Sequence, residues 1–226
     1  MNIDKRNTVI TFCKYPVEGK VKTRIAKTIG NEFAVKLYKM FAEHTFGVLS
    51  KTDSIAPYIF FTEKDDRGKI EKWTRAEFPL ELQSGNDLGE RMYNAFNKAI
   101  ERGSVNTIII GTDIPDISSV IIKRALKALE NSDVVIGPSN DGGYYLLGMK
   151  KLYKDLFIGI EWSRNSVLRN TIEKLNNLNL SYSMLPELID IDTEEDLKMW
   201  LTDDIGTKTT PLKAKVESSY FTVSKI

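Results

Sequence analysis

The acidic residues of this chain include candidates for binding a metal ion, and Asp113 is the first of them. It ends the run TIIIGTD at 107–113, the most hydrophobic strand that the sequence predicts. A carboxylate at the carboxyl end of a strand in an open α/β sheet can hold a divalent cation that bridges phosphate oxygens. The alternative is a structural aspartate that caps the turn before Pro115.

A second acidic segment, IDIDTEEDL at 189–197, lies much later in the chain, where residues 187–204 hold eight Asp and Glu against one Lys. In an extended strand Asp190 and Asp192 point to the same side, because side chains alternate between the two faces. Two carboxylates that face one way suit a hard cation such as Mg²⁺ or Mn²⁺. Alternatively, Asp192 only precedes the helix cap at Thr193.

A basic segment, KYPVEGKVKTRIAKTIG at 14–30, directly follows the first predicted strand, and residues 1–27 hold seven Lys and Arg against two Asp and Glu. A glycine-containing loop between a strand and a helix can turn backbone N–H groups toward a phosphate, while Lys and Arg bind a diphosphate. The segment matches neither common glycine-rich phosphate motif, so a solvated basic loop stays open as an alternative. The candidate nucleotide-binding residues are Lys14, Gly19, Lys22 and Arg24.

The segment SNDGGYYLLG at 139–148 adds a carboxylate beside two glycines. Gly142 and Gly143 permit backbone geometry and a close ligand approach that other residues resist. Asp141 is then a candidate general base or substrate anchor, or else the aspartate of an Asx turn. Trp162, in the loop-like stretch GIEWSRN, either stacks on a sugar or base or belongs to the core.

Composition narrows the chemistry that these residues can perform. The 226 residues are 42% hydrophobic and 28% charged, with a formal net charge of +1, which fits a globular protein and gives no global argument for nucleic-acid binding. With Cys13 and His44 as the only residues of their types, an internal disulfide, a thiolate zinc cluster and multi-histidine metal sites are excluded. Catalysis is expected from carboxylates, Lys or Arg, and backbone amides.

No apolar run approaches the roughly 18 residues of a membrane span, and the start of the chain lacks a signal-peptide core, so a cytoplasmic protein is expected. The oligomeric state is left open.

Short β-branched runs alternate with segments of helical period, which predicts a mostly parallel sheet covered by helices on both faces. Strands are predicted at 8–13, 58–62, 80–84, 107–113, 133–139 and 144–150, the last with an antiparallel direction. Helices are predicted at 31–51, 66–77, 88–102, after Ser118, at 165–178, and after a capping-box-like pair of Thr193 and Asp196.

The chain is expected to hold one main domain at 1–202. Residues 203–226 are polar and rich in Thr, Ser and Lys, which predicts a peripheral hairpin or partly ordered tail rather than a functional lid.

Six ordered blocks over about residues 8–200 resemble the DUF2064 group of GT-A-fold proteins, some of which are labelled arsenosugar-biosynthesis glycosyltransferases. The blocks are FCKYPVEGKVKTRIAKTIG, LGERMYNAF, GTDIPDI, DVVIGPSNDGGYYLLG, LFIGIEWS and IDIDTEEDL. The resemblance implies a nucleotide-diphospho-sugar transferase fold, a three-layer α/β/α sandwich with a mostly parallel mixed sheet. It also implies that Lys22 and Arg24 bind the diphosphate, that Asp113 is the metal aspartate, and that Asp190 or Asp192 completes the site.

The resemblance favours a glycosyltransferase that uses Mg²⁺ or Mn²⁺ and moves a sugar from a nucleotide-sugar to a small-molecule acceptor. The wider relatives include the molybdenum-cofactor and phospholactate guanylyltransferases, so transfer of a nucleotidyl group from an NTP is the alternative. Position 111 is Gly, where the glycosyltransferase D-x-D motif has Asp, which is closer to the nucleotidylyltransferase pattern. A non-catalytic nucleotide-binding protein is the third possibility.

These hypotheses share one geometric expectation. Asp113 should lie within reach of Asp190 and Asp192 at the carboxyl edge of the sheet, and repulsion should raise at least one pKa there. Lys22 and Arg24 should face them across a gap the size of a diphosphate.

Overall fold

Seven strands form one sheet in the part of the chain that the computed structural model describes, which is residues 6–62, 64–75, 77–202 and 210–223. The strands are β1 Arg6–Cys13, β2 Ile55–Phe61, β3 Leu80–Leu82, β4 Ser104–Ile110, β5 Val134–Pro138, β6 Tyr144–Met149 and β7 Tyr182–Met184. Their order across the sheet is β3-β2-β1-β4-β6-β5-β7. Every pairing is parallel except those of β6 with β4 and β5, as the sequence predicted.

Helices cover both faces of the sheet, because its central strands are apolar on both sides. They are α1 Thr23–Ile29, α2 Asn31–Ser50, α3 Arg67–Trp73, α4 Leu88–Glu101, α5 Ser119–Ala128, α6 Val167–Asn177, α7 Glu194–Thr202 and α8 Pro211–Val223, with a 3-10 turn at Lys154–Phe157. In β4, Ile108 and Ile110 pack under α2, α3 and α5, while Ile109 faces α4 and α6. This alternation of side chains creates two cores, and the predicted three-layer α/β architecture is confirmed.

Local capping signals place two of the helices. The Ser118 hydroxyl accepts a hydrogen bond from the Ile121 N–H at the start of α5. At α7, Thr193 N donates to Asp196 Oδ2 at 2.8 Å, and Asp196 N donates to Thr193 Oγ1 at 3.1 Å. This reciprocal pair is the predicted capping box, and it fixes where the chain leaves the acidic segment.

The structure corrects the prediction of a hairpin within residues 203–226. Residues 211–223 form α8, which places Val216 and Tyr220 in a third core cluster with Phe33 of α2 and Trp200 of α7. Because Val216 and Tyr220 are four residues apart, they lie on one helical face, and burial against distant residues outweighs the polar composition. The division of the chain at residue 202 stays a prediction, since 203–209 lie outside the described residues.

The described helices include none that is both long and apolar enough to cross a membrane.

Candidate functional site

The acidic residues meet at the carboxyl edge of the sheet, beside a cleft of about 650 Å³. Asp113 follows β4, and the segment 188–192 follows β7 and returns along the same edge. Leu188 N donates to Pro138 O at 3.1 Å, and Ile191 N donates to Asp113 O at 3.3 Å. These main-chain bonds join the acidic segment to the end of β5, 50 residues earlier, and to Asp113, 78 residues earlier.

The segment around Ile191 alternates between the core and the cleft. Ile191 is fully buried in the third core cluster, while Asp190 and Asp192 line the cleft. One carboxylate oxygen from each of Asp113, Asp190 and Asp192 lies within 4.8 Å of the others. The convergence that the sequence predicted is observed, and we call these three residues the acidic triad.

Lys22 lies at the centre of the acidic triad. Its Nζ is 2.7 Å from Asp113 Oδ1, 3.1 Å from Asp192 Oδ1 and 3.8 Å from Asp190 Oδ1. The side chain is only 2% exposed. The prediction that Lys22 faces the acidic residues across an open gap is therefore wrong, because the ammonium closes that gap by direct contact.

The charges of this cluster perturb one another. The pKa of the Asp190 carboxyl is raised to about 8, with burial as the largest cause. Lys22 opposes this rise, whereas the carboxylates of Asp113, Asp192 and Asp141 add to it. Burial alone would lower the pKa of the Lys22 ammonium, but the acidic triad outweighs burial and raises it. The predicted repulsion is present, and each of these carboxylates contributes less to the rise than burial does.

The backbone at Lys22 directs its side chain inward. Lys22 is the residue before α1 and has φ 45° and ψ 43°, a left-handed conformation that is uncommon outside glycine. Its carbonyl accepts the hydrogen bond of Ala26 N at 2.9 Å, so it also begins the helix. Helix α1 lies within 14–30, where the sequence predicts a loop that continues to the helix at Asn31.

The other basic candidates stand at the mouth of the cleft. The Arg24 side chain is 66% exposed, and its guanidinium is 3.9 Å from Asp192. Lys14 and Lys20 are exposed and line the cleft. Gly19 has φ 68° in an exposed turn and lies outside the cleft lining. This loop thus presents exposed cations at the cleft, while a phosphate contact at Gly19 stays a prediction.

Asp141 shapes the turn between β5 and β6. Its Oδ1 accepts hydrogen bonds from Ser139 Oγ at 2.6 Å and from Gly143 N at 3.0 Å, which is an Asx turn. Asp141 and Gly143 line the cleft. Gly142 instead has φ 83°, and a Cβ there would lie 2.2 Å from Asn165 O, so it accommodates the neighbouring loop rather than a ligand.

Trp162 lines the cleft and packs against the second core cluster. Its indole packs on Gly89 at the start of α4 so closely that a Cβ at that glycine would lie 2.3 Å from Nε1. The absence of a side chain at Gly89 thus allows the close approach of the indole to the helix. The ring is half-buried and also borders the cleft, and its stacking on a sugar or base stays a prediction.

Several residues that line the cleft were not predicted from the sequence. Tyr38 is one: its hydroxyl accepts from Lys14 N at 2.8 Å, donates to Lys14 O at 3.1 Å and accepts from Thr112 Oγ1 at 3.3 Å. In the sequence, Tyr38 falls on the apolar stripe of the helix predicted at 31–51, which indicates a core residue and gives no sign of a hydrogen-bonding role. The cleft is also lined by Gln83, Arg91 and Arg164. Arg91 lies in the quoted segment LGERMYNAF and Arg164 in the quoted segment GIEWSRN, but neither arginine was assigned a role from the sequence.

A family model described as an uncharacterized protein conserved in bacteria (DUF2064) matches residues 45–164, which is more than half of the chain. The chain belongs to the DUF2064 family. The expected resemblance is therefore confirmed at the level of the family.

Other relatives agree with this placement. A crystal structure from Desulfovibrio desulfuricans G20, provisionally assigned as a nucleotide-diphospho-sugar transferase, has a TM-score of 0.89 and 32% identity, with 97% of each chain covered. The 2-phospho-L-lactate guanylyltransferase of Methanocaldococcus jannaschii is 36% identical over 126 residues, which is 54% of each chain. The DUF2064 protein thus matches about half the length of that curated relative.

The fold extends to more distant structures. The 4-diphosphocytidyl-2C-methyl-D-erythritol synthase of Anaerococcus prevotii has a TM-score of 0.56 at 14% identity, with 85% of this chain and 93% of that one covered. At that identity the likeness concerns the fold alone. Together with the Desulfovibrio structure, it confirms the predicted nucleotide-diphospho-sugar transferase fold.

The donor atoms of the acidic triad fit a divalent cation. All three groups are carboxylates, the oxygen ligands that Mg²⁺ and Mn²⁺ prefer. Asp113 Oδ1 and Asp190 Oδ1 are buried, and within the described part of the DUF2064 protein the Lys22 ammonium approaches them to 2.7 Å and 3.8 Å. Buried carboxylate oxygens need a compensating cation, and here the Lys22 ammonium supplies one.

Proposed function

We propose that this DUF2064 protein is a nucleotidylyltransferase that transfers a nucleoside monophosphate from an NTP to a phosphorylated small molecule and releases pyrophosphate. The observation that carries the proposal is the charge arrangement of the cleft. An acidic triad lies in the same cleft as cations from three separate segments, which hold Lys14 and Lys20, Arg91, and Arg164. The partial match to a guanylyltransferase supports the same reaction class.

The cations of the first loop suit the triphosphate. Lys14 and Lys20 are exposed side chains at the cleft, and Arg24 extends beside Asp192 with most of its surface free. Flexible ammonium and guanidinium groups can follow the phosphate oxygens and neutralise the charge that develops on the departing pyrophosphate. This loop would therefore hold the β- and γ-phosphates.

The second set of cations suits an anionic acceptor. Within the described residues, neither Arg91 nor Arg164 has a carboxylate within ion-pair distance. Arg91 Nε donates to Gly85 O at 3.1 Å, which leaves its terminal nitrogens for a ligand. Two guanidinium groups that line the same cleft as the Trp162 ring favour a small molecule that bears a phosphate and a compact apolar part.

The reaction needs little proton transfer. An acceptor phosphate oxygen would attack the α-phosphorus and form a new P–O bond, while the bond from that phosphorus to the bridging oxygen breaks and its electrons leave with pyrophosphate. A phosphate monoester is already ionised near pH 7, because its second pKa is about 6. Asp141 therefore has no proton to remove, in keeping with its hydrogen bonds inside the turn.

A divalent cation held by the acidic triad would polarise the phosphate oxygens and neutralise their charge. The chain's own contribution is to hold the three carboxylates together at the sheet edge through the bond from Ile191 N to Asp113 O.

Glycosyl transfer, the first hypothesis from the sequence, has less support. Gly111 lacks the carboxylate that the D-x-D motif would place there. An acceptor hydroxyl would also require a general base, and the Asp141 Oδ1 atom is engaged by two hydrogen bonds. For these reasons we propose nucleotidyl transfer rather than sugar transfer.

Pyrophosphate release tests the proposal. The protein is incubated with Mn²⁺, each of the four NTPs and a panel of small phosphate esters, with nucleotide-sugars assayed in parallel. We expect pyrophosphate from at least one NTP, and only when a phosphate ester is present. Sugar transfer or hydrolysis of a nucleotide-sugar, without pyrophosphate release from any NTP, would contradict it.

A pair of variants separates catalysis from simple binding. Asp113→Asn should lower kcat/KM by about 100-fold or more, because a positioned carboxylate is lost from the reacting centre. Asp53→Asn is the control, since that side chain is 89% exposed and lies away from the cleft. A nucleotide affinity that changes neither on addition of EDTA nor in Asp113→Asn would favour a non-catalytic nucleotide-binding protein instead.

A further inference from the structure

The Lys22 ammonium occupies the position where the acidic triad would hold a divalent cation. The ammonium contacts all three members of the acidic triad, at 2.7 to 3.8 Å, so it lies where a bound divalent cation would share the same oxygens. Two cations cannot occupy one set of three carboxylates at such distances, because their mutual repulsion is strong in a buried site.

We propose that Lys22 is an exchangeable internal cation, which balances the acidic triad in the metal-free protein and leaves it when a divalent cation binds. This inference rests on the divalent cation of the proposed function. It assigns Lys22 a positioning role, distinct from the direct diphosphate contact that the sequence suggested.

Burial and charge explain why Lys22 occupies the triad. Three carboxylates whose oxygens lie within 4.8 Å repel one another, and the ammonium relieves that repulsion while its side chain is 2% exposed. A lysine is suited to this task because its charge is concentrated at one atom on a flexible stem. The ammonium thus keeps the ligands in place before any ion arrives.

The surrounding backbone allows Lys22 to leave. The preceding residues 18–20 are exposed, and the turn there is closed by the hydrogen bond from Lys20 N to Val17 O at 3.0 Å. Lys22 itself has φ 45°, a conformation that costs a non-glycine residue free energy, so movement of the loop would relieve strain. The displaced ammonium would remain in the cleft, near the phosphates of a nucleotide.

The exchange predicts that metal affinity is limited by competition with Lys22. In Lys22→Met, the triad loses its internal cation, and Mn²⁺ should bind at least about ten-fold more tightly than in the wild type in the absence of nucleotide. Lys20→Met is the matched control, because it removes the same charge from the same loop without touching the triad. That control should change the affinity for Mn²⁺ by less than about three-fold.

The affinities are measured by titrating the free protein with Mn²⁺ and following the EPR signal of the unbound ion. The melting temperature of Lys22→Met should also fall in EDTA and recover when Mn²⁺ is added. Equal affinities for Mn²⁺ in the wild type and in Lys22→Met would overturn the exchange but leave the proposed function standing. Mn²⁺ binding to neither protein would contradict both the exchange and the metal of the proposed function.

A second measurement on the wild type keeps the inference testable if Lys22→Met does not fold. An amine-acylating reagent followed by mass spectrometry compares Lys22 with Lys20 in the same sample. In EDTA, Lys22 should react at least about ten-fold more slowly than Lys20, because it is buried and ion-paired. Addition of Mn²⁺ should increase its reaction several-fold, and unchanged protection at saturating Mn²⁺ would overturn the exchange.

Discussion

The Tyr38 hydroxyl links three elements with one oxygen atom. It bonds both main-chain groups of Lys14 after β1 and the Thr112 hydroxyl after β4, while its ring belongs to α2. Burial is the largest reason that the pKa of this phenol is raised well above its usual value. The hydroxyl therefore stays protonated and serves as a fixed hydrogen-bonding centre beneath the cleft.

Removing that oxygen should destabilise the protein measurably. Tyr38→Phe leaves the Lys14 N–H without its partner, and we expect a loss of about 1–3 kcal/mol in the free energy of unfolding. Urea denaturation measures the loss. Tyr93→Phe is the control, because that ring packs edge-on against Phe157 in the second core. A Tyr38→Phe protein as stable as the wild type would show that water replaces the hydroxyl.

At the residue scale, the sequence identified the carboxylates but not their partner. Asp113, Asp190 and Asp192 were predictable because strand alternation and the carboxyl edge of a parallel sheet are local and topological rules. The inward position of Lys22 depends on a left-handed backbone and on charges about 90 and 170 residues away. The spacing of residues within the segment 14–30 therefore cannot predict that the Lys22 side chain is buried among these carboxylates.

At the scale of elements, the short edge strand β7 is held by a carboxylate. Asp133, just before β5, accepts hydrogen bonds from Ser181 N at 3.0 Å, Ser181 Oγ at 2.6 Å and Tyr153 Oη at 3.2 Å. The Ser181 hydroxyl, followed by its main chain, is the main cause that lowers the pKa of the Asp133 carboxyl. Because β7 leads into the acidic segment 188–192, this contact also helps to fix where that segment begins.

The lowered pKa gives stability a defined dependence on pH. The ionised Asp133 stabilises the fold above the carboxyl's pKa in the unfolded chain, and this stabilisation is lost as pH falls through the lower folded value. Asp133→Asn should therefore be less stable than the wild type near neutral pH, with the difference shrinking as pH falls from about 5 to about 2. Urea denaturation at a series of pH values measures it. A difference that does not vary with pH would contradict this account, and Asp155→Asn, in the 3-10 turn, is the control.

Elements were predictable where their signals are local. The Ser118 cap and the Thr193–Asp196 pair lie within four residues of the helix starts that they mark, and both predicted helices are present. Helices α1 and α8 were missed because they are short or polar and owe their burial to residues far along the chain. Ile25 and Val216, for example, meet in the third core cluster.

At the scale of the whole molecule, the third core cluster connects the C-terminal helix with the functional edge. Val216 of α8 and Ile191 between the two aspartates are both fully buried in it, together with residues of α1, α2 and α7. Helix α8 thus belongs to the cluster that buries Ile191, whose neighbours Asp190 and Asp192 line the cleft. Packing there is expected to influence how firmly the triad is held.

A single truncation tests that connection. Val216→Ala should cost about 1–3 kcal/mol in the free energy of unfolding, from lost apolar burial and the cavity that remains. Val120→Ala, at a side chain that is 72% exposed, should cost close to nothing and is the control. Chemical denaturation of both proteins measures the difference. Equal stabilities would mean that α8 does not pack in solution as it does here.

The antiparallel direction of β6 has a consequence for how this protein can diversify. Because β6 runs against β4 and β5, the turn at 139–143 lies at the same edge as Asp113, and it joins two adjacent strands without a crossover helix. The strands on either side are paired along their length, so substitutions in this turn alter the cleft wall while the hairpin keeps its register. Two positions of the turn are fixed, because Gly142 has no room for a Cβ and Asn140 Oδ1 accepts the hydrogen bond of Asp190 N at 2.9 Å. Asp141 and Gly143 line the cleft, so a library randomised at these two positions would vary the cleft wall while both of those contacts are kept.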